Sequence, residues 1–195
     1  MARNEKEIKR GGIAYMFCIK VDEEVSLGLF EKRHAKELAE LIDSSRTYLR
    51  EWLPWVDYST TTQDSEQFIQ HSLEQFARND GFQLAIRYQG RIAGIIGLHN
   101  INWSNRSTSI GYWLGEGFQG KGLMTKACAA AAAYCFEELK LHRIEIRAAA
   151  GNQKSQAIPE RLGFQKEGCI RESEWLYDHF VDHYVYGLLK RDYQG

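Results

Sequence analysis

The segment that most constrains this 195-residue chain is a strand-like run, a loop crowded with glycines and a long alanine-rich run, in that order. The strand is "RSTSIGYWLG" (106–115), and the helix former is "LMTKACAAAAAYCFEEL" (123–139). Between and around them, Gly115, Gly117, Gly120 and Gly122 crowd one loop. A strand feeding a helix through such a loop belongs to an α/β domain, with the helix packed on a sheet. The first N–H groups of that helix lack intrahelical partners, and its dipole adds positive potential there, so the loop favours an anion, above all a phosphate.

Two familiar phosphate patterns fit the loop as text. Gly115 to Lys121 gives G-x-x-x-x-G-K, but the residue after the lysine is Gly122. A triphosphate loop needs Ser or Thr there to hold Mg²⁺, and Thr125 lies too far on. Gly115, Gly117 and Gly120 give G-x-G-x-x-G. A dinucleotide site then expects an acidic residue at the end of the next strand. That strand, "HRIEIRAAAG", carries Glu145 in its middle and ends in alanines. An oxidoreductase binding NAD through this loop stays as an alternative.

The rest of the chain supplies the sheet. "MFCIKVDEEVSLGLF" reads as two short strands around a charged turn, and "FQLAIRYQGRIAGIIGLHNI" as a hairpin turning at Gln89 and Gly90. "EKRHAKELAELIDSSRTYL" and "TTTQDSEQFIQHSLEQFARNDG" carry helical spacing. "SQAIPERLGF" is a short helix stopped at Gly163, and the C-terminal thirty residues alternate as two strands around Tyr177 and Asp178. The expectation is a mixed α/β domain over residues 15–195, preceded by a flexible tail at 1–14.

A net charge of −1 removes the basic footprint of general nucleic-acid binding. No apolar run approaches the ~20 residues that span a bilayer, and the charged N-terminus lacks a signal-peptide core. A cytoplasmic protein is expected. The four cysteines are scattered without C-x-x-C spacing and read as free thiols. His179 and His183 are four apart, but Phe180 replaces the Glu of a zinc helix and the region alternates like a strand, so no metal is expected.

A third pattern covers more of the chain. Gln119, Gly122 and Met124 fall on the places of Q-x-x-G-x-[GA], with Met124 where a small residue is usual. "AAAGNQKSQAIPERLGFQKEG" holds N-x-x-S, a short helix and Leu-Gly-Phe, while "YLREWLPWVDY" and "DHFVDHYVYGLLKRDY" flank these motifs at matching spacing. Together these resemble the GNAT superfamily of N-acetyltransferases, and within it the RimJ/RimL-like branch acting on N-termini of ribosomal proteins. The resemblance runs from Met16 to the end. It implies a twisted, mainly antiparallel sheet of about seven strands, flanked by helices, whose central parallel pair splays apart.

It also implies roles. Acetyl-CoA would lie against Tyr112, Trp113, Leu114, Gln119, Gly120, Lys121, Gly122, Leu123, Met124, Thr125, Asn152 and Ser155. The strand at Tyr112 to Leu114 would offer a free edge to the pantetheine arm and N–H groups to the thioester oxygen. Ser155 would donate to the departing thiolate, although a serine there equally suits a helix N-cap. Glu174 is the candidate carboxylate for the amine proton, with Glu172 and Asp178 behind it. Trp52 and Trp55 either line an acceptor groove or pack as core. The acceptor is an amine, a protein N-terminus by resemblance; a polyamine or aminoglycoside fits the same chemistry, and a non-catalytic acyl-CoA sensor or a homo-oligomer stays open.

Overall fold

The computed structural model describes residues 17–194, so the expected tail at 1–14 lies outside the described residues. Eight strands form one sheet: β1 (Cys18–Lys20), β2 (Val25–Leu29), β3 (Gly81–Tyr88), β4 (Arg91–Asn102), β5 (Ser107–Leu114), β6 (Arg143–Ala149), β7 (Gln165–Leu176) and β8 (His179–Leu189). They lie in the order β1-β2-β3-β4-β5-β6-β8-β7. Every neighbouring pair is antiparallel except β5 and β6. The N-terminal run supplies two of the eight strands, β1 and β2, as its sequence suggested, so the count is one above the seven or so that the resemblance implied.

Helices cover both faces. On one face lie α1 (Ala35–Ser44), α2 (Arg46–Arg50) and α3 (Thr62–Ala77), where Leu38, Ile42 and Ile69 pack with Ala85 and Ile95 of the sheet. On the other lie α4 (Leu123–Ala133) and α5 (Gln153–Arg161), where Ala127, Cys128 and Ile158 meet Leu84, Ile96 and Ile144. Because both faces are covered, β3 and β4 are buried almost continuously instead of alternating.

The local signals explain the joins. Gln89 (φ 51°) and Gly90 (φ 81°) take the left-handed conformations of a tight two-residue hairpin. Thr61 and Asp64 close a reciprocal capping box at the start of α3. Helix α4 continues into one π turn, Tyr134–Glu138. Gly94 on β4 faces Leu114 on β5 so closely that a Cβ there would collide with the Trp113 carbonyl oxygen and come within 2.9 Å of Leu114 Cα. Both obstacles are backbone. Gly94→Ala is therefore expected to cost about 1–3 kcal/mol, read as a lower urea midpoint with unchanged slope.

The parallel pair is short. Ser107 to Ile110 of β5 register with Arg143 to Ile146 of β6, and there the pairing ends. Beyond that point β5 keeps pairing with β4, as far as Leu114, and β6 with β8, as far as Ala149. The two strands thus diverge after Ile110, leaving the β6-facing edge of Gly111 to Leu114 without a ladder partner. This is the splay the resemblance implied.

Candidate active site

Two chambers open at this divergence. One, of about 930 Å³, lies beside the glycine loop and the start of α4. The other, of about 780 Å³, lies on the α1–α3 side. Both are walled by Trp52, Leu53, Tyr112, Trp113, Asn152 and Ser155.

The loop chamber carries the features of an anion site at a helix start. Gly120 (φ +74°) and Gly122 (φ +71°) sit in the left-handed region, which glycine tolerates at no steric cost. A Cβ on either would meet no protein atom within 4 Å, so backbone conformation, and not internal crowding, requires glycine. Gly122 occupies the N-cap position of α4 and offers no side-chain cap. The first N–H groups of the helix thus have no side-chain cap, and the residues that carry them, Leu123 to Thr125, line the chamber.

Met124 fits without obstruction: it is 6% exposed and joins the core beneath α4. Of the expected acetyl-CoA residues, all line this chamber except Lys121, which is exposed and absent from its wall. The cations at the wall are Lys126, Lys154 and Arg161. Lys154 reaches Gln119 Oε1 at 3.2 Å. Lys154 and Arg161 are seven apart on α5, a spacing that reads in sequence as a solvated helix face.

Lys126 pairs with Asp22 at 2.7 Å, tying the β1–β2 turn to α4. The hydrogen bond from Lys126 holds the Asp22 carboxyl down at about 2. A lowered carboxyl pKa means the pair is intact above the ordinary value of ~3.9 and dissolves as pH falls toward 2. An NMR titration of the Asp22 carboxyl is expected to show this midpoint, and Lys126→Ala to raise it only part of the way, because the Glu24 and Val25 N–H groups still donate to Asp22.

Ser155, Tyr112 and Pro159 form one unit. The N-cap of α5 is Asn152, whose Oδ1 accepts from the Ser155 N–H at 3.0 Å. Ser155 is therefore not the cap, which leaves its hydroxyl for other work. Pro159 stands inside α5 and has no N–H to give the Ser155 carbonyl four residues back. The Tyr112 hydroxyl takes that place, donating to the Ser155 carbonyl at 2.9 Å. Ser155 Oγ in turn donates to Tyr112 Oη at 3.4 Å. Burial pushes the Tyr112 phenol far above its ordinary range, so it stays protonated.

The second chamber brings in Glu174, with its Oε2 3.4 Å from His183 Nε2. The two fallback carboxylates are elsewhere: Glu172 sits at a bulge of β7 (φ 49°), and Asp178 pairs with His179 at the hairpin tip. Neither lines the chamber. Trp55 does line it, stacked at a tilt on Trp113 with centroids 5.8 Å apart. Trp52 lies over Gly151, where a Cβ would come within 3.2 Å of Trp52 Cη2. Tyr177 Oη donates to the Leu53 carbonyl at 2.7 Å, fixing the β7–β8 hairpin to the tryptophan loop. Among the described residues no group of three or more His, Cys, Asp or Glu side chains gathers as a metal site. His99, Gln83 and Arg147 also line this chamber. Sequence reading passed over them, because single polar residues on strands carry no spacing signal.

Chambers on either side of a divergent strand pair suit a group-transfer enzyme, one substrate to each side. Residues 25–165 match the family described as Acetyltransferase (GNAT) domain. The chain belongs to this family and is an acyltransferase. A protein of Bacillus subtilis (strain 168), YdaF, provisionally named a ribosomal N-acetyltransferase, is 39% identical over 181 residues, covering 92% of this chain and 99% of that one. The crystal structure of the microcin C7 self-immunity acetyltransferase MccE, in complex with acetyl-CoA and AMP, superposes with TM-score 0.84 at 30% identity, over 88% of this chain and 95% of that one. That of RimL, a ribosomal L7/L12 alpha-N-protein acetyltransferase in complex with coenzyme A, has TM-score 0.86 at 26% identity, over 89% and 98%.

Proposed function

We propose that this chain transfers the acetyl group of acetyl-CoA to the N-terminal α-amine of a ribosomal protein, by direct attack in a ternary complex. The observation that carries this is the wall of six residues common to both chambers. A donor along the free edge of β5 and an acceptor beneath α3 meet there without a covalent enzyme intermediate. The names of YdaF and RimL support the acceptor class.

The loop chamber fits acetyl-CoA: an uncapped helix start, left-handed glycines and three cations suit a pyrophosphate. The edge at Gly111 to Leu114 offers N–H groups to the pantetheine and to the thioester oxygen. Attack forms the C–N bond and breaks the C–S bond. The amine proton passes to Glu174, directly or through one water. Ser155 Oγ donates to the departing sulfur, whose thiol has an ordinary pKa of ~8.5. An α-amine, with pKa ~7.7–8.0, is roughly 10–15% neutral at pH 7, so it needs only modest help from a base.

The test is acceptor profiling with the full chain and labelled acetyl-CoA. Label is expected on the α-amines of ribosomal proteins. Label on spermidine or aminoglycosides, with none on protein, would refute the acceptor assignment. In a thermal-shift assay acetyl-CoA is expected to raise the melting temperature. A shift with NAD in its place would refute the donor.

A further inference from the structure

The floor of the acceptor chamber is a hollow in the sheet. Gly97 on β4 and Gly111 on β5 are paired across the ladder. With no side chain at either position, two long polar side chains lie flat over them. A Cβ on Gly97 would collide with Gln83 Oε1, and one on Gly111 would stand 2.8 Å from His99 Nε2. His99 is the last residue of β4 before a bulge that shifts its register with β5. Bulges of this kind re-aim a side chain. The ring is thereby set beside Gly111, the first residue of β5 past its pairing with β6.

A chain of amides fixes which ring nitrogen carries the proton. Gln75 Nε2 lies 3.4 Å from the carbonyl oxygens of Asp80 and Leu98. Carbonyls only accept, so this end of Gln75 is its NH₂ and its Oε1 is left to accept. Gln83 Nε2 lies 3.4 Å from that Oε1 and 3.4 Å from His99 Nδ1. The group facing Nδ1 is therefore a donor, Nδ1 accepts, and the proton of the neutral ring sits on Nε2. An imidazolium would set N–H against N–H at this point. Burial also lowers the His99 pKa, favouring the neutral ring. Asp64, His71, Arg147, Glu174 and His183 line the same chamber.

A neutral ring with its proton on Nε2 cannot take a proton at that atom; it can only donate. We propose that His99 Nε2–H binds the carbonyl oxygen of the acceptor's first residue, selecting an amine borne next to a carbonyl group over a bare alkylamine. This rests on the α-amine reading above and adds a recognised group to it. His99 is a specificity-determining residue here, and Gln83 and Gln75 position it.

The test compares a hexapeptide bearing a free N-terminal serine with its reduced-bond analogue, in which the first carbonyl is CH₂. His99→Leu in the full chain is expected to lower kcat/KM for the hexapeptide by roughly 10- to 100-fold and to leave the analogue within about twofold, with acetyl-CoA affinity unchanged. That is the pattern of one lost donor in a double-mutant cycle. His99→Gln, which keeps an N–H donor, is expected to recover part of the loss. Independently of any variant, long-range ¹H–¹⁵N spectra of the histidine-labelled protein are expected to show the Nε2–H tautomer near neutral pH. Equal losses with both acceptors, no loss with the hexapeptide, or an Nδ1–H tautomer would overturn the proposal. A wild-type enzyme that labels no peptide α-amine at all would instead refute the acceptor reading on which it rests.

Discussion

Ser155→Ala is expected to lower kcat by about 100-fold, in the range that a positioned acid contributes, while the melting temperature and acetyl-CoA affinity stay near wild type. The stability half of this expectation comes from the capping geometry. Asn152, not Ser155, accepts from the helix N–H, so the substitution strips no cap from α5. The catalytic half comes from the Tyr112 contact. The Tyr112 proton is committed to the Ser155 carbonyl, and burial keeps that phenol from ionising. Ser155 Oγ donates only a loose bond, at 3.4 Å, and is the hydroxyl able to turn toward sulfur. The assay is steady-state turnover beside calorimetric affinity and a melting curve. Full turnover in a folded variant would remove Ser155 from the chemistry.

Gly122→Val is expected to raise the acetyl-CoA Kd at least roughly tenfold, since the helix-terminal anion site depends on that turn, and also to destabilise the fold. At φ +71° a β-branched residue carries about 1–3 kcal/mol of strain. For a domain of this size that lowers the melting temperature by roughly 2–4 °C per kcal/mol. No protein atom lies within 4 Å of the added Cβ, so strain and not a clash is the cause. Relief of that strain turns the first N–H groups of α4 away from the chamber. Gly117→Ala is the control: its φ is ordinary, its Cβ also meets nothing, and both readouts should be unmoved. An unchanged Kd in Gly122→Val would mean that the helix start does not hold the phosphates.

Local rules carried much of the reading from sequence. The hairpin at Gln89 and Gly90, the helix ended before Gly163 and the loop before α4 each follow from residues within a turn of one another. Non-local features did not. The splay of β5 from β6 is set by how many pairs the two strands make, which no periodicity records. Asn152 and Ser155 both suit an N-cap, and only the fold assigns the cap to Asn152. Lys121 sits in the motif yet points to solvent, while Lys154 and Arg161 reach the chamber from a helix thirty residues on. His99 gains meaning from Gly111, twelve residues away and one strand over. Met124 departs from the usual small residue because core space under α4 receives it.

The sheet has a seam. Strands β1 to β5 form a meander in which each pairs with its sequence neighbour, and β6, β8 and β7 form a second set. Four residue pairs between β5 and β6 join them in the sheet. The hairpins β1–β2, β3–β4 and β4–β5 close through contacts near in sequence, whereas β2 reaches β3 only across α1 to α3 and β5 reaches β6 only across the α4 crossover, so local pairing favours the hairpins over both of these joints. Both chambers open at the β5–β6 joint, so the enzyme's working parts depend on a short pairing between segments distant in sequence and not on any local hairpin.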